Sequence, residues 1–265
     1  MEGLLSVSFG TSYEETRVKT IDAIESDLQS TFPDLAFYSA WTSGIIIKKV
    51  KAERGEHHDT LEEAFARLTA DGVTELIVST TCLLQGGEMA KIARAADAWT
   101  AGGGRMAYLA DPLLLTQADR KAVARVLCDE FADVPDEDAM LFMGHGSSVG
   151  SNDVYSRIQD ELHALGRERF FVATVEGEPT FDDAWPLIEE SGVSCVHLAP
   201  LMIVAGDHAT NDLAGDGDSW VNRIRARGLR AEVVLKGLGE YAGIRKLVCD
   251  HARDALMIRE VSLRG

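Results

Sequence analysis

The sequence predicts an α/β protein of two similar Rossmann-like domains, each a parallel sheet flanked by helices, related by internal duplication. Short apolar segments alternate with amphipathic segments along the 265 residues, the order typical of parallel sheets with helical crossovers. The apolar segments are continuously hydrophobic, as expected for strands that are covered on both faces. The same order of segments occurs twice, which indicates two halves folded from one ancestral unit.

Two near-repeats support the duplication. The segments at residues 7–12 and 72–88 recur at residues 143–148 and 192–208. At the first offset, of 136 residues, Phe9 falls opposite His145. At the second, of 120 residues, Glu88 falls opposite His208. The second half therefore carries a histidine at two equivalent positions where the first half does not.

The elements of the first half follow from apolar periodicity and helix signals. Ile21, Ile24 and Leu28 share one face of a helix. Asp59 or Thr60 is a favourable helix N-cap before residues 61–72. The predicted strands are 4–9, 35–41, 75–81 and 106–110, and the predicted helices are 14–32, one from residue 45, 61–72, 89–99 and 117–131.

A polar, acidic stretch with a proline, at residues 132–138, is the best linker in the chain. It divides the sequence into predicted domains 1–134 and 135–265, with the active-site cleft between them. In the second domain the predicted strands are 139–143, 170–175, 195–201 and 231–235, and the predicted helices are 153–165, 181–190, 219–227 and 244–257.

Composition excludes several classes of protein. The formal net charge of −17 argues against nucleic acid as a partner, because phosphate binding needs clustered Lys and Arg. No apolar run reaches the roughly 18 residues of a membrane helix, and the N-terminus lacks a signal peptide pattern. A cytoplasmic location is expected. The widely spaced cysteines are expected to be reduced core residues, not a disulfide frame or zinc site: Cys82, Cys128, Cys195 and Cys249.

The polar candidates follow the predicted strands. In parallel sheets, ligands bind beyond the carboxyl ends of the strands. The residues predicted there are Phe9, Trp41, Glu88, His145, Glu176 and His208. The sequence therefore places its ionisable side chains where a ligand is expected.

Two histidines at matched strand ends indicate a metal or proton-transfer site. His145 lies between two glycines, which leave the imidazole uncrowded. His208 follows an apolar strand and a glycine turn. Neutral imidazole binds metal ions and also accepts protons near neutral pH. The alternatives are a locally hydrogen-bonded turn histidine at His145 and, at His208, a histidine beside a helix cap formed by Asp207.

Carboxylates could complete the set. Glu176 follows a strand and falls opposite Trp41, and two histidines with one carboxylate suit a first-row divalent ion. A solvated loop glutamate is the alternative, and Glu178 competes for the role. Glu88 is a candidate acid or base, although a carboxylate at a helix start is also favoured by the helix dipole.

The remaining histidines have simpler interpretations. His57 and His58 are expected in a solvated loop. No catalytic role is expected for His197, which lies inside a predicted strand, nor for the helical His163 and His251.

With these residues in view, the chain resembles the anaerobic sirohydrochlorin cobaltochelatases of the CbiK type, within the class II chelatases. The resemblance runs the whole length of the chain. It rests on SFGTS at 8–12, TSG at 42–44, GHG at 144–146, VE at 175–176, GDH at 206–208 with ND at 211–212, DGDSW at 216–220 and GLGE at 237–240.

The resemblance implies a chelatase-like fold and insertion of Co²⁺ into sirohydrochlorin, with loss of two pyrrole protons, in anaerobic cobalamin synthesis. It implies that His145 and His208 are catalytic, that Glu176 joins them in holding the metal, and that Glu88 is a carboxylate near the macrocycle. We expect His145 to be the residue that accepts the pyrrole protons. Co²⁺ is a substrate, and no organic cofactor is predicted.

The expected substrate-binding residues are Phe9, Gly10, Thr11, Ser12, Ser43, Gly146 and Ser147. Backbone N–H groups and hydroxyls at the helix starts after residues 10–12 and 146–148 are expected to bind the carboxylates of the macrocycle. Sirohydrochlorin and a divalent ion are the expected partners, without nucleic acid or membrane. A homo-oligomer stays open.

Three other functions remain open from the sequence. The same reaction with Fe²⁺ or Ni²⁺ would use the same ligand types. A non-catalytic metal or tetrapyrrole carrier would bind without turnover. A two-domain small-molecule receptor would bind no metal.

Overall fold

The computed structural model describes residues 1–146 and 152–264, with side chains described as far as residue 257. The chain forms two compact units. Unit 1 comprises Met1–Leu115 and Arg245–Gly265, and unit 2 comprises Thr116–Ile244. Each unit contains a four-stranded parallel sheet with the same strand topology. The predicted α/β class and the repeated order of elements are confirmed.

Unit 1 is built on strands in the order β2-β1-β3-β4. The strands are β1 (Glu2–Ser8), β2 (Ala36–Trp41), β3 (Glu75–Thr80) and β4 (Met106–Leu109). The helices are α1 (Glu14–Lys19), α2 (Ile21–Thr31), α3 (Gly44–Arg54), α4 (Leu61–Ala70) and α5 (Gly87–Thr100). The register pairs Ser8 with Trp41, so β1 and β2 end side by side.

The core of unit 1 forms where the apolar faces of helices α4 and α5 cover the sheet. Leu5 and Val78 of the central strands pack with Phe65 and Trp99. Burial of such side chains removes apolar surface from water at about 25 cal/mol per Å². The Trp99 indole N–H donates to Thr69 Oγ1 at 3.0 Å, so burial leaves this polar group paired.

Unit 2 repeats the order as β6-β5-β7-β8. The strands are β5 (Ala139–Gly144), β6 (Phe170–Thr174), β7 (Cys195–Pro200) and β8 (Arg230–Val233). The helices are α6 (Gln117–Glu130), α7 (Asp153–Ala164), α8 (Phe181–Glu190) and α9 (Trp220–Ala226), with a π-helical turn at Ala209–Leu213 and a 3-10 turn at Leu238–Glu240.

Both faces of the second sheet are covered. On one face, Leu141 and Leu198 pack with Trp185 and Trp220 in one buried cluster. On the other, Phe142 packs edge-on against Phe131, with ring centroids 5.3 Å apart. This double coverage explains why the strands of unit 2 are continuously apolar in sequence.

The predicted helix 14–32 is wrong as one helix, because the chain breaks at Thr20 into α1 and α2. Thr20 has φ −119° and ψ −77°, and its hydroxyl donates to the Thr16 carbonyl at 2.6 Å. A threonine that bonds to the carbonyl four residues earlier bends a helix. The apolar spacing continues across the break, so periodicity does not show it.

The compact units also differ from the predicted division at 134/135. Helix α6, predicted to close the first domain, belongs to unit 2, where Gln117 donates to Glu161 of α7 at 2.9 Å. The last helix, α10 (Ala242–Arg264), belongs to unit 1 from Arg245 onward, and Arg245 pairs with Asp27 at 2.7 Å. Each unit thus includes a helix that sequence order assigns to the other half. Among the described residues, no helix combines the length and the apolarity needed to span a bilayer.

Candidate metal centre

His145 directly follows β5, and a tight backbone contact fixes the loop that carries it. Gly146 has φ +83°, and a Cβ there would lie 2.6 Å from the Gly177 amide nitrogen. The Glu176 amide donates to the His145 carbonyl at 2.8 Å. The loops after β5 and β6 are therefore held against each other, and this brings His145 and Glu176 together.

Tyr155 of α7 holds the backbone next to His145 through a hydrogen bond. Its hydroxyl accepts a hydrogen bond from the Gly146 N–H at 3.1 Å, and the side chain is buried on α7. Burial raises the pKa of Tyr155, so the hydroxyl is neutral at physiological pH. The backbone next to His145 is thereby anchored to the core of unit 2.

His208 lies at the start of the helical turn that follows β7. Its Nδ1 lies 2.7 Å from Asp212 Oδ2, four residues further along that turn. Residues four apart lie on one face of a helix, which brings the carboxylate beside the ring. The loop after β7 thus supplies both the histidine and a partner for it.

The structure brings the three predicted metal ligands together in unit 2. One donor atom from each of His145, Glu176 and His208 lies within 4.8 Å of the others. The two imidazole rings stand at 86°, with centroids 4.7 Å apart, and His145 Nδ1 lies 4.0 Å from Glu176 Oε2. Two imidazoles and a carboxylate are a ligand set for a first-row divalent ion, and further coordination positions stay open.

Exposure and hydrogen bonding suit transient binding of an ion. The side chains of His145, Glu176 and His208 are 50%, 54% and 30% exposed. The acceptors beside each Nδ1, the Gly146 carbonyl and the Asp212 carboxylate, assign the ring proton to Nδ1. Nε2 of each ring therefore keeps its lone pair for a metal ion or a proton.

Sequence reasoning missed Asp212 as a partner of His208. A ligating histidine commonly donates its second N–H to a carboxylate, which fixes the tautomer and ring orientation. The signal was present in the sequence, because His208 and Asp212 are four residues apart after a glycine turn. Only the helical conformation of this turn makes that spacing meaningful.

The predicted residues of unit 1 lie at the ends of β1 and β2. Phe9 is exposed, and the Ser43 amide donates to the Phe9 carbonyl at 3.2 Å. Ser43 also caps α3 by accepting from the Ile46 amide. Gly10 has φ +92°, with its Cβ direction blocked by Trp41 at 2.6 Å.

Thr11 and the start of α1 lack the features expected of an anion-binding site. Thr11 is buried, and its hydroxyl accepts a hydrogen bond from the Tyr13 amide at 3.2 Å. The first turn of α1 carries Glu14 and Glu15, which offset the positive end of the helix dipole. Ser12, in contrast to Thr11, is only partly buried. Ser147 lies outside the described residues.

Glu88 is the second residue of α5 in unit 1. Its Oε2 is buried and has no hydrogen-bond partner among the described residues. Burial raises the pKa of the Cys82 thiol to about 11, and the negative charge of Glu88 adds to that shift. Within the part of the chain that the structure describes, one oxygen of the Glu88 carboxylate is thus buried without a hydrogen bond.

These features define a class of protein: a duplicated parallel α/β protein with an accessible two-histidine, one-carboxylate centre at its strand ends. The sequence profile of the family described as "Cobalt chelatase (CbiK)" matches residues 2–257. The chain belongs to this family of metal chelatases.

Named relatives agree with the family. The chain is 37% identical over 258 residues to a sirohydrochlorin cobaltochelatase of Salmonella typhimurium, covering 96% of each protein. It is 29% identical over 261 residues to the sirohydrochlorin cobaltochelatase CbiKC of Nitratidesulfovibrio vulgaris, covering 96% of this chain and 90% of that protein.

Solved structures share the fold at low sequence identity. SirB from Bacillus subtilis with Fe³⁺ matches with a TM-score of 0.66 at 13% identity, covering 96% of this chain and 95% of SirB. CbiX, described as the terminal enzyme of sirohaem biosynthesis in denitrifying bacteria, matches with a TM-score of 0.58 at 16% identity, covering 96% of this chain and 99% of CbiX. These likenesses confirm the predicted chelatase-like fold.

Proposed function

We propose that this chain inserts Co²⁺ into sirohydrochlorin with loss of two pyrrole protons, as an early step of anaerobic cobalamin synthesis. The observation that carries the proposal is the cluster of His145, Glu176 and His208, whose donor atoms lie close enough together to bind one metal ion. The choice of sirohydrochlorin as the macrocycle and Co²⁺ as the metal is supported by family membership and by the names of the relatives. Both Co²⁺ and sirohydrochlorin are substrates in this reaction.

The three side chains divide the work of insertion. The cluster holds Co²⁺ through imidazole and carboxylate donors, and its open positions let the macrocycle nitrogens replace bound water. His208 acts chiefly as a metal ligand, because Asp212 holds its ring in one orientation.

His145 acts as the proton acceptor. Its Nδ1 donates to the neutral Gly146 carbonyl, and half of its side chain is exposed to solvent. Once Co²⁺ has moved from His145 Nε2 to the macrocycle nitrogens, this exposed imidazole can take a pyrrole proton at Nε2 and pass it to water. Glu176, 4.0 Å from the ring, stabilises the positive charge that results.

Residues of unit 1 are proposed to contact the macrocycle. Phe9 offers an exposed aromatic ring for an apolar tetrapyrrole face. Glu88 offers an unsatisfied carboxylate oxygen as an auxiliary acid or base. Phe9→Ala is expected to raise KM for sirohydrochlorin, and Glu88→Gln is expected to lower kcat.

The test is anaerobic absorbance kinetics of purified protein with sirohydrochlorin and Co²⁺, Fe²⁺ or Ni²⁺ in parallel. We expect multiple turnovers, fastest with Co²⁺, and loss of turnover in His145→Ala and His208→Ala. His57→Ala is the matched control, because it removes another half-exposed histidine outside the cluster. A stoichiometric spectral change without turnover would identify a carrier instead, and wild-type rates in both active-site variants would refute the assignment of the centre.

A further inference from the structure

A second group of metal-ligating side chains lies at the amino-terminal edge of the sheet in unit 2. Asp138 immediately precedes β5, and Cys195 and His197 lie on β7. One donor atom from each lies within 4.8 Å of the others. The register pairs Ala139 with Val196, which places Asp138 beside the two β7 residues. Cys195 and His197 are two apart on a strand and therefore share a face of the sheet.

The group is shielded from solvent. Cys195 and Asp138 are buried, and the His197 side chain is 14% exposed. His197 Nε2 lies 3.0 Å from Asp138 Oδ2. Asp138 and His197 therefore already pair with each other in the absence of an ion, and the neutral Cys195 thiol lies beside them as a third potential ligand.

A second carboxylate lies near the other nitrogen of the His197 ring. Glu232 of β8 is the register partner of His197, and its Oε2 lies 3.6 Å from His197 Nδ1. The imidazole is therefore flanked by Asp138 on one nitrogen and Glu232 on the other. In metal sites, the nitrogen that does not bind the ion commonly donates to a carboxylate.

We propose that Asp138, Cys195 and His197 form a second site for a divalent ion of borderline softness, Zn²⁺ or Co²⁺, distinct from the His145 centre. Thiolate, imidazole and carboxylate fill three positions of a tetrahedral ion, and water fills the fourth. The ion replaces the proton of the Cys195 thiol, and that proton leaves to solvent with no change of oxidation state. The charges of the thiolate and Asp138 balance the charge of the ion.

The site has a route for exchange and a structural consequence. His197 lines a surface cavity of about 250 Å³ together with Lys236 and Tyr241. Among the described residues, the buried Tyr241 hydroxyl in that cavity has no hydrogen-bond partner. An ion bound here ties the start of β5 to β7, so it stabilises the sheet without entering the chelatase reaction.

The test uses Co²⁺ alone with reduced, ion-free, full-length protein under anoxic conditions. We expect a thiolate-to-cobalt charge-transfer band in the near ultraviolet together with intense visible bands typical of tetrahedral Co²⁺. The band should persist in the His145→Ala, His208→Ala double variant, which lacks the first centre. It should disappear in Cys195→Ser, whereas Cys249→Ser, a change at another buried cysteine, should retain it.

A milder variant guards against misfolding. Glu232 is 58% exposed, so Glu232→Gln should fold normally and weaken Co²⁺ binding at this site about tenfold. The proposal is overturned if the wild type shows no charge-transfer band at excess Co²⁺, or if Cys195→Ser retains the band. The charge-transfer band requires a thiolate ligand, so it tests the Cys195 site alone. Turnover with sirohydrochlorin tests the chelatase assignment separately.

Discussion

The partnership of His208 with Asp212 gives the sharpest test of how the metal centre is organised. Asp212→Asn keeps the size of the side chain and an oxygen that can accept from His208 Nδ1, but removes the negative charge. Asp212→Ala removes both. The two changes therefore separate the charge of the partner from its role as an acceptor.

The expected magnitude follows from the geometry. The contact is 2.7 Å, as expected for a charge-assisted hydrogen bond. Loss of such a partner of a metal ligand commonly costs 10–100-fold in metal affinity or activity, as an order of magnitude. Asp212 and His208 are 45% and 30% exposed, so water partly replaces the lost bond. We therefore expect about tenfold for Asp212→Asn, or about 1.4 kcal/mol, and a larger loss, towards about 100-fold, for Asp212→Ala.

The assay is the initial rate of cobalt insertion at varied Co²⁺ and fixed sirohydrochlorin under anaerobic conditions. The loss should appear mainly as a raised KM for Co²⁺, because Asp212 acts through a metal ligand. Glu190→Gln removes an exposed carboxylate elsewhere in unit 2 and serves as the control. Wild-type KM for Co²⁺ in both Asp212 variants, with His208→Ala inactive, would refute the positioning role.

Three further changes test the packing behind the centre and the electrostatics of unit 1. Tyr155→Phe leaves the Gly146 N–H unsatisfied, so we expect about 1–3 kcal/mol lower stability and slower insertion, measured by denaturant unfolding and turnover. Gly146→Ala forces a Cβ to 2.6 Å from the Gly177 nitrogen at φ +83°, and should cost more activity than Tyr155→Phe; equal rates would contradict this. Burial raises the pKa of Glu25 to about 7 from 4.5, although Ser39 donates to it. The folded state thus keeps a proton that the unfolded chain releases, and stability falls as pH rises from about 4.5 to about 7. Glu25→Gln should abolish that fall and, above about pH 8, raise the free energy of unfolding by as much as about 3 kcal/mol. A variant with the same pH profile of unfolding as the wild type would contradict the reasoning.

The fold was predictable where one local signal dominates. A continuous apolar run such as 139–143 is typical of a strand covered on both faces, and β5 begins and ends within one residue of that prediction. The break at Thr20 was not predictable, because apolar spacing is the same on both sides of it. The exchange of terminal helices between units depends on long-range packing, for instance of Arg245 with Asp27, which sequence order does not encode.

The closeness of the three candidate ligands was also predictable from the sequence. His145, Glu176 and His208 follow from the rule that ligands gather at carboxyl ends of parallel strands. Asp212 required the conformation of the turn after β7. Tyr155 required knowledge that α7 packs under the His145 loop. Sequence thus predicts the groups that can bind a metal, whereas the groups that orient them emerge only from tertiary contacts.

The two copies of the unit differ at the positions that form the proposed metal centre. Gly10 and Gly146 are equivalent in the repeat, and both have a positive φ, at +92° and +83°. At Gly10 the space that a Cβ would need holds the ring of Trp41, whereas at Gly146 it holds the backbone at Glu176. The first copy fills this space with a buried aromatic ring, and the second brings the two loops into contact with the carboxylate exposed.

At the matched positions, unit 1 has Phe9, Trp41 and Glu88 in place of the proposed ligands His145, Glu176 and His208. Trp41 is stacked on His58, with ring centroids 3.5 Å apart, so the equivalent position in unit 1 serves packing. Phe9, opposite His145, has no metal-binding atom. A histidine introduced by Phe9→His would have Trp41 and Glu88 at the positions that match Glu176 and His208, so the set would lack one of the three ligands. Such a variant should bind no additional Co²⁺ by equilibrium dialysis, and binding of an extra ion would show that unit 1 retains a latent site.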